Sequence, residues 1–162
     1  MLYTIHNSDM TVTIDGLGAQ LQSITAAGGT EYLWSGDPAY WSSRAPILFP
    51  YVGRLTDDTY TCDGRAYQMT RHGFARRTEF SVLTQGKDHI TLYMEDSEES
   101  RKLYPFAFRF DVSYVLEGNT LVIVYAVESR DGRTMFFGLG GHPGFRVPLE
   151  EGRAFKIGRA HV

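Results

Sequence analysis

Most of the sequence consists of short runs in which apolar and polar residues alternate, and each run ends at turn-forming residues. This two-residue period is typical of β-strands with one buried face, whereas an amphipathic helix would repeat its apolar residues roughly every 3.6 positions. Aromatic residues make up 14% of the 162 residues and 17 are glycine, which suits strands joined by tight turns. The pattern predicts an all-β protein, built as an antiparallel sandwich or barrel.

The alternation also predicts the individual elements. Strands are expected over residues 2–6, 10–15, 18–25, 31–34, 65–69, 79–84, 89–94, 106–116, 120–128 and 134–139. One helix is expected over residues 97–104, where Ser97 can cap the first turn and Pro105 ends the helix. Residues 34–55 are rich in aromatic residues and lack a clear period, and a long apolar loop of this kind usually forms or covers a site.

Charge and composition exclude several classes of protein. The chain has 16 Lys and Arg against 19 Asp and Glu, a formal net charge of -3, whereas a nucleic-acid binder needs a basic surface for phosphate contacts. No apolar run approaches the roughly 20 residues of a membrane-spanning helix, and the N-terminus lacks a signal-peptide pattern. The single cysteine, Cys62, excludes an internal disulfide framework and a cysteine-cluster metal site. We therefore expect a soluble, cytoplasmic protein with neither nucleic acid nor membrane as a partner.

Residues 156–162 (KIGRAHV) differ in character from the rest of the chain. One back-translation of these residues, AAG ATC GGA AGA GCA CAC GTC, matches a common sequencing-library adapter that continues with the stop codon TGA. We interpret residues 156–162 as a non-native, adapter-derived tail and residues 1–155 as the N-terminal part of a single β-domain. On this interpretation His161 is not a site residue; the alternative is a coincidental natural terminus.

Two of the five histidines lie in settings typical of a functional loop. His72 lies in RHGFARR and His142 lies in GGHPGF. Glycine lets the backbone approach a ligand closely, and proline restricts the chain so that a neighbouring imidazole is held in place. The pKa of an imidazole lies near neutral pH, which suits general acid–base catalysis. The alternative is a structural role in each loop, as we expect for His6 and His89.

Arg54 is a third candidate, because it follows Gly53 in the aromatic-rich loop and carries a planar fork of donors that suits hydroxyl-rich or anionic ligands. The alternative is a surface ion pair with Asp57 or Asp58. No histidine pair at metal-ligand spacing and no carboxylate triad accompanies the candidates, so we predict no metal site.

Six segments, in this order, resemble the aldose 1-epimerase (galactose mutarotase) family, and its bacterial LacX-like branch in particular: GAQLQSI, EYLW with GDPAYW, APILFPYVGRL, RHGFARRTEF, YPFAFRF and GGHPGF. The resemblance implies a galactose-mutarotase-like β-sandwich (supersandwich), incomplete in this chain. It implies interconversion of the α and β anomers of a free hexose, without a cofactor. It also implies that His142 is the general acid, that His72 binds and orients the sugar near its ring oxygen, and that Arg54 binds the substrate.

The chain departs from the family pattern in two places. Ser129, in VESRD, lies where the family usually has an asparagine. The family's catalytic base is a glutamate near the C-terminal end of a substantially longer chain, and Glu150 and Glu151 follow His142 too closely to take that role. We therefore expect a gene that was cut short, and a chain that is poorly soluble or partly unfolded and lacks enzyme-level mutarotation.

Two other functions stay open at this stage. A hexose-6-phosphate 1-epimerase would need extra basic residues around its pocket, for which the candidates are Arg44, Arg71, Arg76 and Arg77. A carbohydrate-binding module would keep the fold and bind sugar without catalysis. The fold alone does not choose between these functions, and the sequence indicates neither the preferred sugar nor the oligomeric state.

Overall fold

Antiparallel strands account for nearly all the regular structure in residues 1–149 and Gly152, the part of the chain that this computed structural model describes. The elements there are β1 (Leu2–His6), β2 (Met10–Asp15), β3 (Gln20–Ala26), β4 (Ile47–Leu48), β5 (Thr59–Cys62), β6 (Arg65–Gln68), β7 (Ser81–Gln85), β8 (His89–Glu95), α1 (Glu98–Leu103), β9 (Phe108–Glu117), β10 (Thr120–Ser129) and β11 (Gly140–Gly141), with 3-10 turns at Thr56–Asp58 and Ala75–Arg77. The predicted all-β class is confirmed. The tail at 156–162, with His161, and the pair Glu150 and Glu151 lie outside the described residues.

Two sheets share one hydrophobic core. Strands β1, β2 and β3 form the first sheet in that order, and β10, β9, β8 and β7 form the second. Every second side chain of β9 is buried, as the alternation predicts for a strand with one face in the core. These side chains join residues of the first sheet in a single cluster, and the Tyr114 hydroxyl donates to the Ala19 carbonyl at 2.6 Å. The sheets therefore lie face to face as a sandwich.

The aromatic-rich loop is fixed to this core by Phe49. Its ring is fully buried and lies 4.7 Å from the ring of Phe110 and 5.3 Å from that of Phe108, measured between centroids. Just before Phe49, β4 pairs with β11, so that Ile47 lies opposite Gly141. This short pairing brings the GGHPGF segment beside the loop that precedes Gly53.

Most predicted elements are confirmed, including the β1–β2 hairpin and the β9–β10 pair. The helix begins where predicted, because the Ser97 side chain accepts from the Ser100 N–H at 3.1 Å and the Ser100 side chain caps in return. No helix among the described residues is long and apolar enough to cross a membrane.

Two predicted strands were wrong. Residues 31–34 form only isolated bridges, because the Glu31 carboxylate accepts from the N–H groups of Ile24 and Leu33 and so replaces the ladder partners. Residues 134–139 pair with no strand in the described part of the chain. Their backbone is held by single contacts instead: the Gly138 N–H donates to Pro50, and the Phe136 carbonyl accepts from the Tyr104 hydroxyl.

Candidate functional site

His72 and His142 lie side by side, although they come from loops in distant parts of the sequence. Their ring centroids are 6.1 Å apart and the ring planes are inclined at 39°. At this separation one small molecule can contact both imidazoles. The two histidines that the sequence singled out are thus brought together, whereas His6 and His89 lie elsewhere, on β1 and β8.

The orientation of His72 is set by two hydrogen bonds with one residue. Its backbone N–H donates to the Gly53 carbonyl at 2.8 Å, and its Nδ1 accepts from the Gly53 N–H at 3.1 Å. A neutral imidazole whose Nδ1 accepts carries its proton on Nε2. His72 can therefore present an Nε2–H donor to a ligand. Sequence reasoning did not identify Gly53 as the residue that orients His72, and its only signal was its place before Arg54.

The glycine after His72 is required by close packing. A Cβ at Gly73 would lie 2.2 Å from the carbonyl oxygen of buried Phe49, and the backbone there has a φ of +73°. The same Phe49 oxygen accepts from the N–H groups of Phe74, at 3.0 Å, and Ala75, at 3.1 Å. The RHGFARR loop is thus docked directly on the backbone of the core.

His142 is held by its backbone and by an aromatic neighbour. Its N–H donates to Pro46 at 3.1 Å, and the Gly144 N–H donates to Arg44 at 2.7 Å, which continues the β4–β11 pairing into the loop. The Trp41 ring meets the imidazole edge-on, with 5.3 Å between centroids. A Cβ at Gly144 would lie 2.7 Å from the Trp41 ring. The side chain of His142 is exposed and so is open to a ligand.

His72 is biased toward its neutral form. Burial lowers the pKa of the His72 imidazole below its ordinary 6.5, and the nearby positive charges of Arg71 and Arg76, together with His142, lower it further. A neutral His72 at physiological pH is a hydrogen-bond donor through Nε2 and carries no net charge.

Arg54 directly follows Gly53, the residue that binds His72, but its own side chain has a partner. The Arg54 guanidinium donates to Asp58 through two bonds, of 3.2 and 3.4 Å, and the Arg54 side chain is 69% exposed. The surface ion pair that the sequence left open is therefore present. The substrate-binding role of Arg54 stays a prediction, and a ligand would have to share the guanidinium with Asp58.

Ser129 ends β10 and stabilises the following turn. Its hydroxyl donates to the Arg133 carbonyl at 3.1 Å and contacts Asp131 at 3.4 Å. Ser129, at the position where the family usually has an asparagine, is thus a short polar side chain that makes local turn contacts.

Neither imidazole has a carboxylate partner in the described part of the chain. Within residues 1–149, no Asp or Glu oxygen lies at ion-pair distance from His72 or His142. Among the described residues there is likewise no group of three His, Cys, Asp or Glu side chains that could hold a metal ion.

Comparison with known proteins gives one consistent family. The family model described as aldose 1-epimerase matches residues 1–157. The chromosomal and plasmid LacX proteins of Lactococcus lactis subsp. lactis are each 35% identical to this chain, over 96% of it. The alignment covers 54% of those proteins, so the chain spans about half the length of the curated relatives it matches.

Solved structures agree in fold. A galactose mutarotase related enzyme from Lactobacillus acidophilus superposes with a TM-score of 0.92 at 44% identity, over 95% of this chain and 52% of that one. A galactose mutarotase-like protein from Lactobacillus casei gives a TM-score of 0.89 at 37% identity, over 93% and 52%. The predicted galactose-mutarotase-like fold is thus confirmed for the described part of the chain.

Proposed function

Because the chain belongs to the aldose 1-epimerase family, we propose that His72 and His142 form part of a site that interconverts the α and β anomers of a free hexose. The observation that supports this proposal best is the 6.1 Å separation of the two rings, which come from separate loops. The backbone of each histidine is held by hydrogen bonds, so the two imidazoles are preorganised before the sugar binds.

The chemistry needs one proton donor and one proton acceptor at the hemiacetal. In the proposed reaction His142 gives a proton to the ring oxygen as the ring carbon–oxygen bond breaks, and a base removes the proton of the anomeric hydroxyl. The resulting open-chain aldehyde rotates, and closure on the other face returns both protons and gives the other anomer. His72 donates from Nε2 to a sugar oxygen and fixes the position of the ring.

We assign the base to none of the described residues. The family resemblance implies a glutamate, and no carboxylate in residues 1–149 lies at ion-pair distance from either histidine. With the alignment covering 54% of the LacX relatives, we propose that the base belongs to the half of the family fold that this chain does not match. The 162-residue chain by itself is then expected to lack enzyme-level mutarotation.

A chimera tests this proposal. Residues 1–149 of this chain replace the matched part of the Lactobacillus acidophilus protein, and polarimetry follows the equilibration of freshly dissolved α-galactose. We expect the chimera to accelerate equilibration and the His142→Gln variant to lose about 100-fold or more of that rate, the usual contribution of a general acid. The matched control, His89→Gln, changes an exposed histidine on β8 and should retain the rate.

Two results would contradict the proposal. One is a folded chimera that equilibrates galactose no faster than buffer while the Lactobacillus acidophilus parent is active. The other is a His142→Gln variant as fast as His89→Gln. A chimera that binds sugar saturably without catalysis would favour the carbohydrate-binding module instead.

A further inference from the structure

The imidazole of His142 is held differently from that of His72. The Nδ1 atom of His72 accepts a hydrogen bond from the Gly53 N–H. Among the described residues, the His142 imidazole forms no hydrogen bond with a protein group, and its side chain is exposed. Exposed side chains without a polar partner change rotamer readily. The orientation of the His142 ring therefore depends on packing, and its aromatic neighbours are Trp41 and His72.

The Trp41 indole packs against the His142 imidazole in a T-shaped arrangement. The two ring centroids are 5.3 Å apart and the ring planes are inclined at 74°. Aromatic pairs prefer this geometry, and they stabilise it beyond the effect of the buried area alone. A rotation of the His142 side chain away from Trp41 would lose the contact. The indole therefore favours one orientation of the imidazole.

Trp41 has a fixed position of its own, because it ends a closed turn. Its backbone N–H donates to the Asp37 carbonyl at 2.8 Å, and its carbonyl accepts from the indole N–H of Trp34 at 2.7 Å. Within the turn, the Ala39 N–H donates to the Asp37 carboxylate at 2.8 Å, a bond by which aspartate side chains stabilise turns. Trp41 can therefore act as a rigid support for a neighbouring ring.

The loop that carries His142 is packed between two tryptophans. A Cβ at Gly144 would lie 2.7 Å from the Trp41 ring and 3.2 Å from the Cβ of Trp34. The Trp34 backbone N–H also donates to the Gly144 carbonyl at 2.9 Å. Residues 34–41 and the GGHPGF segment thus form one packed unit, in which the place of Trp41 relative to His142 is determined by close contacts.

We propose that Trp41 is a positioning residue, which holds the imidazole of His142 in the orientation needed for proton transfer to the sugar. This inference rests on the proposed function and deepens it. Trp41 acts through His142 and exchanges no proton with the sugar. Proton transfer needs the donor within hydrogen-bond reach of the ring oxygen, so an imidazole that turns away slows the reaction.

Substitutions of Trp41 in the chimera of residues 1–149 test the inference. Trp41→Met removes the ring and fills much of its space with a flexible apolar side chain. We expect the kcat of galactose mutarotation to fall about tenfold while KM changes little, because a displaced acid slows the chemical step. Trp41→Phe retains an aromatic ring and should restore most of kcat. The matched control is Tyr40→Met, since Tyr40 is the adjacent aromatic residue and is 83% exposed, and it should retain both kcat and KM.

A second substitution separates positioning from a general structural role. If Trp41 acts through His142, Trp41→Met should cost little further rate in a chimera that already carries His142→Gln. A residue that merely stabilises the fold would lower the rate in both backgrounds. Circular dichroism identifies variants that do not fold, and Trp41→Leu takes the place of Trp41→Met if the latter does not fold.

The contact itself is measured in the 162-residue chain, whether or not that chain is active. An indole ring shifts the NMR signals of protons close to it. Trp41→Met should therefore move the ring-proton signals of His142, and Tyr40→Met should leave them in place.

Three outcomes would overturn the inference. These are an active chimera in which Trp41→Met keeps the parent kcat, a Trp41→Met loss that is equally large in the His142→Gln background, and His142 ring signals that Trp41→Met leaves unchanged. Failure of the proposed function is a separate observation, because it is a chimera without activity before any change at Trp41. The NMR comparison then still decides whether Trp41 holds His142.

Discussion

At the scale of single residues, the contact between His72 and Gly53 determines which proton His72 can offer. Protonation at Nδ1 would break the 3.1 Å bond from the Gly53 N–H. Burial and the charges of Arg71 and Arg76 oppose protonation as well. All of these effects favour the neutral imidazole with its proton on Nε2, which is the form that donates a hydrogen bond to a sugar oxygen.

We expect the His72 imidazole to titrate with a pKa below 6.5, and Arg71→Gln to raise that pKa by removing a nearby positive charge. A histidine-detected NMR titration measures both values. With a lowered pKa, His72 binds fewer protons in the folded chain than in the unfolded chain. The contribution of neutral His72 to the free energy of unfolding is therefore complete above pH 6.5 and falls as the pH drops below that value. A His72 pKa above 6.5, or one that Arg71→Gln leaves unchanged, would contradict this account.

Gly73 gives a second prediction at this scale. Gly73→Ala places a Cβ 2.2 Å from the Phe49 oxygen at a φ of +73°, so we expect a loss of about 3 kcal/mol or more in unfolding free energy. Gly64→Ala is the matched control, because Gly64 has a φ of +75° and a Cβ added there would meet no atom within 4 Å. It should lose only about 1 kcal/mol, the cost of the left-handed backbone. Unfolding free energies are measured by urea denaturation. If Gly73→Ala and Gly64→Ala lose equal amounts, the close packing of Gly73 on Phe49 does not contribute to stability.

At the scale of elements, β10 is the longest unprotected strand edge in the described part of the chain. It has ten residues, pairs only with β9 there, and exposes half of the Val124 side chain. Strand edges of this kind pair readily with other chains. The opposite edge, β7, has five residues and an irregular register between Val82 and Thr84, and such irregularities discourage edge pairing.

We therefore expect the 162-residue chain to self-associate through β10. Val124→Lys should shift its mass distribution toward monomer, because a charged residue on an edge strand opposes pairing. Val82→Lys, the matched change on β7, should have a clearly smaller effect. Light scattering after gel filtration measures both. Two results would argue against β10 as the contact: an unsubstituted chain that is already monomeric, or a Val82→Lys variant that shifts the mass distribution toward monomer as much as Val124→Lys does.

The elements that could be predicted are those whose partner is close in sequence. The β1–β2 and β9–β10 pairs have their alternation and their turn within one short window, which local pattern captures. Strands β4 and β11 have two residues each and pair across the chain, so no period exists to detect. Residues 134–139 alternate like a strand but bind loop backbone, a tertiary effect that the sequence does not contain.

At the scale of the whole molecule, the site depends on a pairing that the sequence could not show. The motifs identified His72 and His142 separately, and only the family resemblance placed them in one site. The structure supplies the physical connection: β4–β11 pairing carries His142 to the loop that precedes Gly53, and Gly53 binds His72. For Arg54, sequence alone left a ligand contact and an ion pair open, because both use the same guanidinium.

A double-mutant cycle in the chimera tests most directly whether His72 and His142 act on one sugar. The rates of galactose mutarotation are measured for His72→Gln, His142→Gln and the double variant. Residues that act as one unit are strongly non-additive, so we predict that the double variant is slower than the worse single variant by less than about tenfold. A double variant whose loss equals the product of the two single losses, or single variants that lose no rate, would contradict a shared site.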